Sequence, residues 1–78
     1  MSKRKPDPII VSAMRDAIAE LGSWGRAGFS SRADGLGYWW IWDHAYSKPL
    51  ACYGSYEEMR LAYTTALDAA QAEAGFYS

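Results

Sequence analysis

Apolar residues first recur at helical spacing. Ile10, Met14, Ala17, Ile18 and Leu21 fall on one side of a 3.6-residue period, while Arg15, Asp16 and Glu20 fall largely on others. Asp7-Pro8 supplies a side-chain acceptor for free backbone N–H groups and a first residue that loses no hydrogen bond, and Gly22 supplies a left-handed stop. The spacing predicts a helix over 8–21. The period then dissolves across 22–37, where Gly22, Gly25, Gly28, Gly35 and Gly37 interrupt any helix and mark turns. Within that stretch Ala27 to Arg32 fits a short strand, joined to the next through Ala33-Asp34-Gly35-Leu36-Gly37.

From Tyr38 to Ala45 the period is two, with rings on both sides: Tyr38, Trp40, Trp42 and His44 on one, Trp39, Ile41, Asp43 and Ala45 on the other. A turn at Tyr46-Ser47-Lys48-Pro49 leads into a strand over 50–54, antiparallel because the connection is short. Ser55-Tyr56-Glu57-Glu58 is a capping box, in which Ser55 takes the Glu58 N–H and the Glu58 carboxylate reaches back to Ser55. Met59, Ala62, Tyr63, Ala66, Leu67, Ala70 and Ala74 follow as one apolar stripe, Gly75 ends it, and Phe76 is placed to pack back on it. The fold class is therefore α+β: helix, an antiparallel two- or three-stranded β-meander, helix, with both helices on one sheet face.

Seventy-eight residues make one small domain, read as a flexible basic tail over 1–6 and a single α+β unit over 7–78. A chain this short buries only about 60% of the surface its unfolded form exposes, so partners or oligomerisation add useful burial. Hydrophobic residues at 50% and charged residues at 22% describe a globular chain. The net charge of -1 is uneven: residues 1–40 hold six Lys or Arg against four acids, and the rest two against five. No segment has the length of a membrane span or a signal-peptide core, and a single cysteine fits a reducing compartment, so a cytoplasmic protein with no membrane contact is expected.

Two candidate sheet faces result. With a symmetric turn at 46–49, Ala45 opposes Leu50, Asp43 opposes Cys52, and Trp42 opposes Tyr53. Trp39, Ile41, Ala45, Leu50 and Cys52 then share a face with Phe29, and Tyr38, Trp40, Trp42, His44 and Tyr53 share the other. Aliphatic residues, Cys and Phe are the commoner core types, whereas Tyr, Trp and His carry polar handles and favour interfaces. The first face is assigned to the helices and the second to a partner. That assignment turns the Asp43 carboxylate toward the helices, which is costly unless it lies at the sheet margin or finds donors. The reverse assignment puts Asp43 in water and uses the large rings over Ala62, Ala66 and Ala70.

Chemistry adds little. His44 is the sole histidine and Cys52 the sole cysteine, which rules out a His or thiolate metal cluster within one chain. Asp43 and His44 project to opposite faces and Cys52 is expected beside Asp43, so neither an Asp-His nor a Cys-His dyad forms. The acids already have capping or solvent roles. The glycines do not join a buried strand to a helix N-terminus, which excludes a phosphate cradle. No enzyme, metal or cofactor is expected.

The order strand, turn, strand, aromatic, Ser-x-x-Glu, helix resembles the build of many small modules, including the arm-type DNA-binding domains of tyrosine recombinases, at the level of supersecondary pattern. A compact Trp-rich chain of this size also resembles accessory proteins of bacteriophages and mobile elements, among them anti-CRISPR inhibitors; the resemblance implies a role in blocking a host defence complex such as CRISPR-Cas. The expected function is thus a non-enzymatic protein-binding module, self-association included, whose site is Tyr38, Trp40, Trp42, His44 and Tyr53. The alternative is a single-stranded nucleic-acid binder stacking bases on Trp40, Trp42 and Tyr53, with Lys3, Arg4, Lys5, Arg26, Arg32 and Lys48 meeting phosphates. A pI near 5.7 weighs against it.

Overall fold

The computed structural model describes residues 5–75. The element order is helix α1 (Pro8–Leu21), a 3-10 helix (Gly22–Gly28), strands β1 (Phe29–Ala33), β2 (Trp39–Asp43) and β3 (Lys48–Tyr53), and helix α2 (Tyr56–Glu73). The sheet is antiparallel with strand order β1-β2-β3, and both helices cover the same face of it. Among the described residues no helix is long and apolar enough to cross a membrane.

Helix α1 starts and stops where its local chemistry dictates. The Ile9 N–H donates to Asp7 Oδ1 at 2.9 Å, Pro8 opens the helix, and Gly22 closes it at φ 64° with its N–H on the Ile18 carbonyl. Its buried stripe is Ile10, Val11, Met14 and Ile18, rotated slightly from the expected one, so that Leu21 is exposed. The glycine-rich stretch does not simply loop out. Gly22–Gly28 winds as a 3-10 helix against α1, and a Cβ on Gly25 would lie 2.5 Å from the Ala17 carbonyl carbon, so close approach of two backbones demands glycine there.

In α2 the Glu58 N–H donates to Ser55 Oγ at 3.2 Å, giving the expected cap, although the exposed Glu58 makes no return bond. Met59, Ala62, Ala66 and Ala70 are buried, with Tyr63, Leu67 and Ala74 packed beside them. The small alanines let α1 and α2 approach closely over the sheet. Arg15 clasps α2 across the helix pair, its Nη1 lying 3.1 Å from Glu73 Oε1. Phe76 and the expected packing of its ring lie outside the described residues.

The sheet carries the main correction. β2 pairs with β1 so that Phe29 opposes Asp43 and Arg32 opposes Trp40, as a simple hairpin requires. The β2–β3 connection is instead His44-Ala45-Tyr46-Ser47, with Ser47 at φ 51°, and Asp43 opposes Lys48. A bulge at Leu50 follows, after which Ile41 opposes Ala51, Trp40 opposes Cys52 and Trp39 opposes Tyr53. The register differs from the symmetric expectation by an odd number, which exchanges the faces of Cys52 and Tyr53. Tyr53 is therefore in the core at 8% exposure, and Cys52 is exposed on the uncovered face.

Candidate aromatic face

The face turned toward the helices holds Phe29, Ile41 and Tyr53, with Trp39 at its margin in edge contact with Tyr56 of α2 at 4.9 Å between ring centroids. Asp43 lies on this side at 2% exposure, and its Oδ1 accepts the Ala45 N–H at 3.0 Å. The carboxylate thus takes a donor from the turn that follows it, at the margin between α1 and the β2–β3 connection, where Asp16, Tyr46 and Lys48 also line a cleft. Tyr63 donates its phenol O–H to the Phe29 carbonyl at 3.4 Å, and burial raises the pKa of that phenol.

The opposite face is uncovered by any element among the described residues. Strand alternation puts Ser30 and Arg32 of β1, Trp40 and Trp42 of β2, and Cys52 of β3 on it, with Asp34, Tyr38 and His44 continuing the ladder at its ends. Trp40, Trp42 and His44 each have a polar companion. The Trp40 indole N–H donates to Asp34 Oδ2 at 3.0 Å, while Asp34 Oδ1 accepts the Leu36 and Tyr38 N–H groups at 2.7 and 3.2 Å. The Trp40 hydrogen bond, seconded by the Leu36 amide, holds the Asp34 carboxyl below its ordinary pKa. The Arg32 guanidinium lies over the Trp42 ring, 4.7 Å from its centroid. His44 Nε2 and Ser30 Oγ are 2.8 Å apart, a diagonal cross-strand pair.

Of the expected binding residues, Tyr38, Trp40, Trp42 and His44 are brought together, and Tyr53 is removed to the core. Of the expected anion contacts among the described residues, only Arg32 is placed on this face. Lys48 sits on the β2–β3 connection side, 5.7 Å from the Tyr46 ring centroid, and Lys5 lines a cleft beside α1 and Glu73. Lys3 and Arg4 lie outside the described residues. The Ser30–His44 pair escaped the sequence reading because its members are 14 residues apart and meet only through register. It has a nucleophile and a base at hydrogen-bond distance, but no further group among the described residues bonds the imidazole to orient it, as a hydrolytic triad requires. Trp24 was also missed: it is 79% exposed on the 3-10 helix, where no periodicity reveals its direction.

No family model, curated protein or solved structure matches this chain.

Proposed function

We propose that the protein is a non-enzymatic binding module that docks a protein partner on the uncovered sheet face, with Trp40 and Trp42 as anchors and Tyr38 and His44 at the rim. The observation that carries this reading is the one-sidedness of the sheet: both helices share one face, and two tryptophans stand on the other with no element among the described residues over them. Asp34 holds the Trp40 indole N–H and Arg32 lies over the Trp42 ring, which reduces the side-chain freedom lost on association. The same contacts disfavour a single nucleic-acid strand. Arg32 already covers the face of Trp42 on which a base would stack, Asp34 places a carboxylate beside Trp40, and Lys5 and Lys48 lie away from this face.

The test compares wild type with Trp42→Ala in binding and in thermal melting. A bacterial CRISPR-Cas effector complex, the target class implied by the resemblance to phage accessory proteins, is the first bait. Loss of at least about 2 kcal/mol of binding, by a variant that still folds and loses no more than about 1–2 kcal/mol of stability, is the expected result for an interface anchor. Collapse of the fold, or undiminished binding by the folded variant, defeats the reading.

A further inference from the structure

The two edges of the sheet are treated differently. β3 is guarded by Pro49, which has no N–H to offer, by the bulge at Leu50, and by Lys48, all devices that discourage a further strand. β1 has none of these, and its sequence Phe29-Ser30-Ser31-Arg32-Ala33 runs without a bulge against β2.

The bonds that bracket its ladder, His44 N–H to the Gly28 carbonyl at 2.9 Å and Asp34 N–H to the Tyr38 carbonyl at 3.1 Å, show that even-numbered residues bond inward and odd-numbered residues point outward. Phe29 has both outward groups engaged, by the Arg26 carbonyl and the Tyr63 hydroxyl. The N–H and C=O of Ser31 and of Ala33 have no partner among the described residues, and both residues are exposed. Beside this edge runs a cleft of about 400 Å³ between β1 and α2, lined by Ser31, Tyr56, Met59, Arg60 and Tyr63.

Charge selects the occupant. Arg32 stands on one side of the strand and Arg60 on the other, and Arg26 is close enough to Tyr63 to act on its phenol. None of these three arginines forms an ion pair with an acid among the described residues, in a chain whose net charge is -1. A second copy of the chain would bring the same arginines against them.

We infer that the outer edge of β1 accepts an extended, acidic segment of a protein partner as a fourth strand, bonded through Ser31 and Ala33, with an apolar side chain in the Tyr56–Met59–Tyr63 cleft and carboxylates facing Arg32 and Arg60. This surface meets the aromatic face at Arg32, while the backbone groups of Ser31 and Ala33 and the Tyr56–Met59–Tyr63 cleft lie apart from the tryptophans.

The probe is a blocked hexapeptide of glutamates with one valine at its third position, which puts carboxylates on both faces of the added strand, titrated to roughly millimolar concentration into isotope-labelled protein. Its lysine-valine counterpart is the control. The amide signals of Ser31 and Ala33 are expected to shift and to gain protection from hydrogen exchange with the glutamate peptide alone. Ser31→Pro removes an outward N–H and leaves the intrachain ladder intact, and is expected to weaken binding about tenfold, as loss of one hydrogen bond does. Arg60→Glu, a change at an exposed side chain, is expected to weaken it as much, and serves should the proline variant fail to fold. The inference is overturned if the two peptides bind alike, if neither moves Ser31 and Ala33, if folded Ser31→Pro or Arg60→Glu binds as wild type does, or if those amides gain protection with protein concentration alone. Trp42→Ala, which frees the Arg32 guanidinium from its ring, is expected to keep the Ser31 and Ala33 shifts with the glutamate peptide while abolishing docking on the aromatic face, which separates the two outcomes.

Discussion

Adjacent residues of β2 meet opposite environments, and the comparison shows what each side of this sheet asks of a side chain. Ile41 is fully buried against the helices, whereas its neighbours Trp40 and Trp42 lie half-buried on the uncovered side. On the helix side shape alone suffices, because an aliphatic group needs only close neighbours. On the uncovered side each ring is held by a charged group from β1 or its hairpin, Arg32 over Trp42 and Asp34 on Trp40. The two aspartates repeat the contrast: buried Asp43 takes a backbone N–H from its own turn, while exposed Asp34 gathers two backbone N–H groups and an indole. Fullness of packing stabilises one side, and electrostatic bracing shapes the other.

The strongest way to sharpen the comparison is Ile41→Ala, which leaves a cavity in the small core and is expected to lower unfolding free energy by about 2–5 kcal/mol in denaturant titration. Gly25→Ala comes next. Its Cβ would fall 2.5 Å from the Ala17 carbonyl carbon, so the 3-10 helix must lift from α1 at a cost of about 1–3 kcal/mol. Gly28→Ala, with nothing within 4 Å of the new methyl, is the matched control and should change stability little. Trp42→Ala belongs to the uncovered side and is expected to cost only about 1–2 kcal/mol, mostly partial burial and the Arg32 contact; a loss as large as that of Ile41→Ala would erase the distinction between the faces.

The smallest effect is the pH response of Asp34. Its carboxyl pKa is lowered in the folded state, so the bracing of Trp40 is complete above the unfolded value and is lost as pH falls through the lower folded one, below about pH 4. Tryptophan fluorescence should report that step, and Asp34→Asn should abolish it; an unaltered titration in the variant assigns the signal elsewhere.

Element identities were legible because their signals are local. Asp7-Pro8 and Ser55 mark helix starts through side chains that satisfy backbone N–H groups within three residues, and the apolar stripe of α2 has one period throughout. The face assignment of β2 was legible for a similar reason, since Ile41 and Phe29 are core types whereas Trp40 and Trp42 bring polar handles. Register was not. Leu50-Ala51-Cys52-Tyr53 is apolar at every position, so no alternation pins it, and the bulge at Leu50 adds a residue that no pattern announces. That ambiguity alone sent Tyr53 to the wrong face. The polar companions of the tryptophans follow from register too: Arg32 and Ser30 become neighbours of Trp42 and His44 only once β1 is aligned.

The Asp34 carboxylate also ties the length of the first hairpin to the aim of an indole. Because one oxygen spans the amides of Leu36 and Tyr38 while the other holds Trp40, the tip behaves as a closed ring of fixed circumference. An insertion between Gly35 and Gly37 would open that ring and free the indole together with it. Loop length and ring direction are thus a single inherited trait, and a redesign of the tip has to carry its own carboxylate or forfeit the orientation of Trp40.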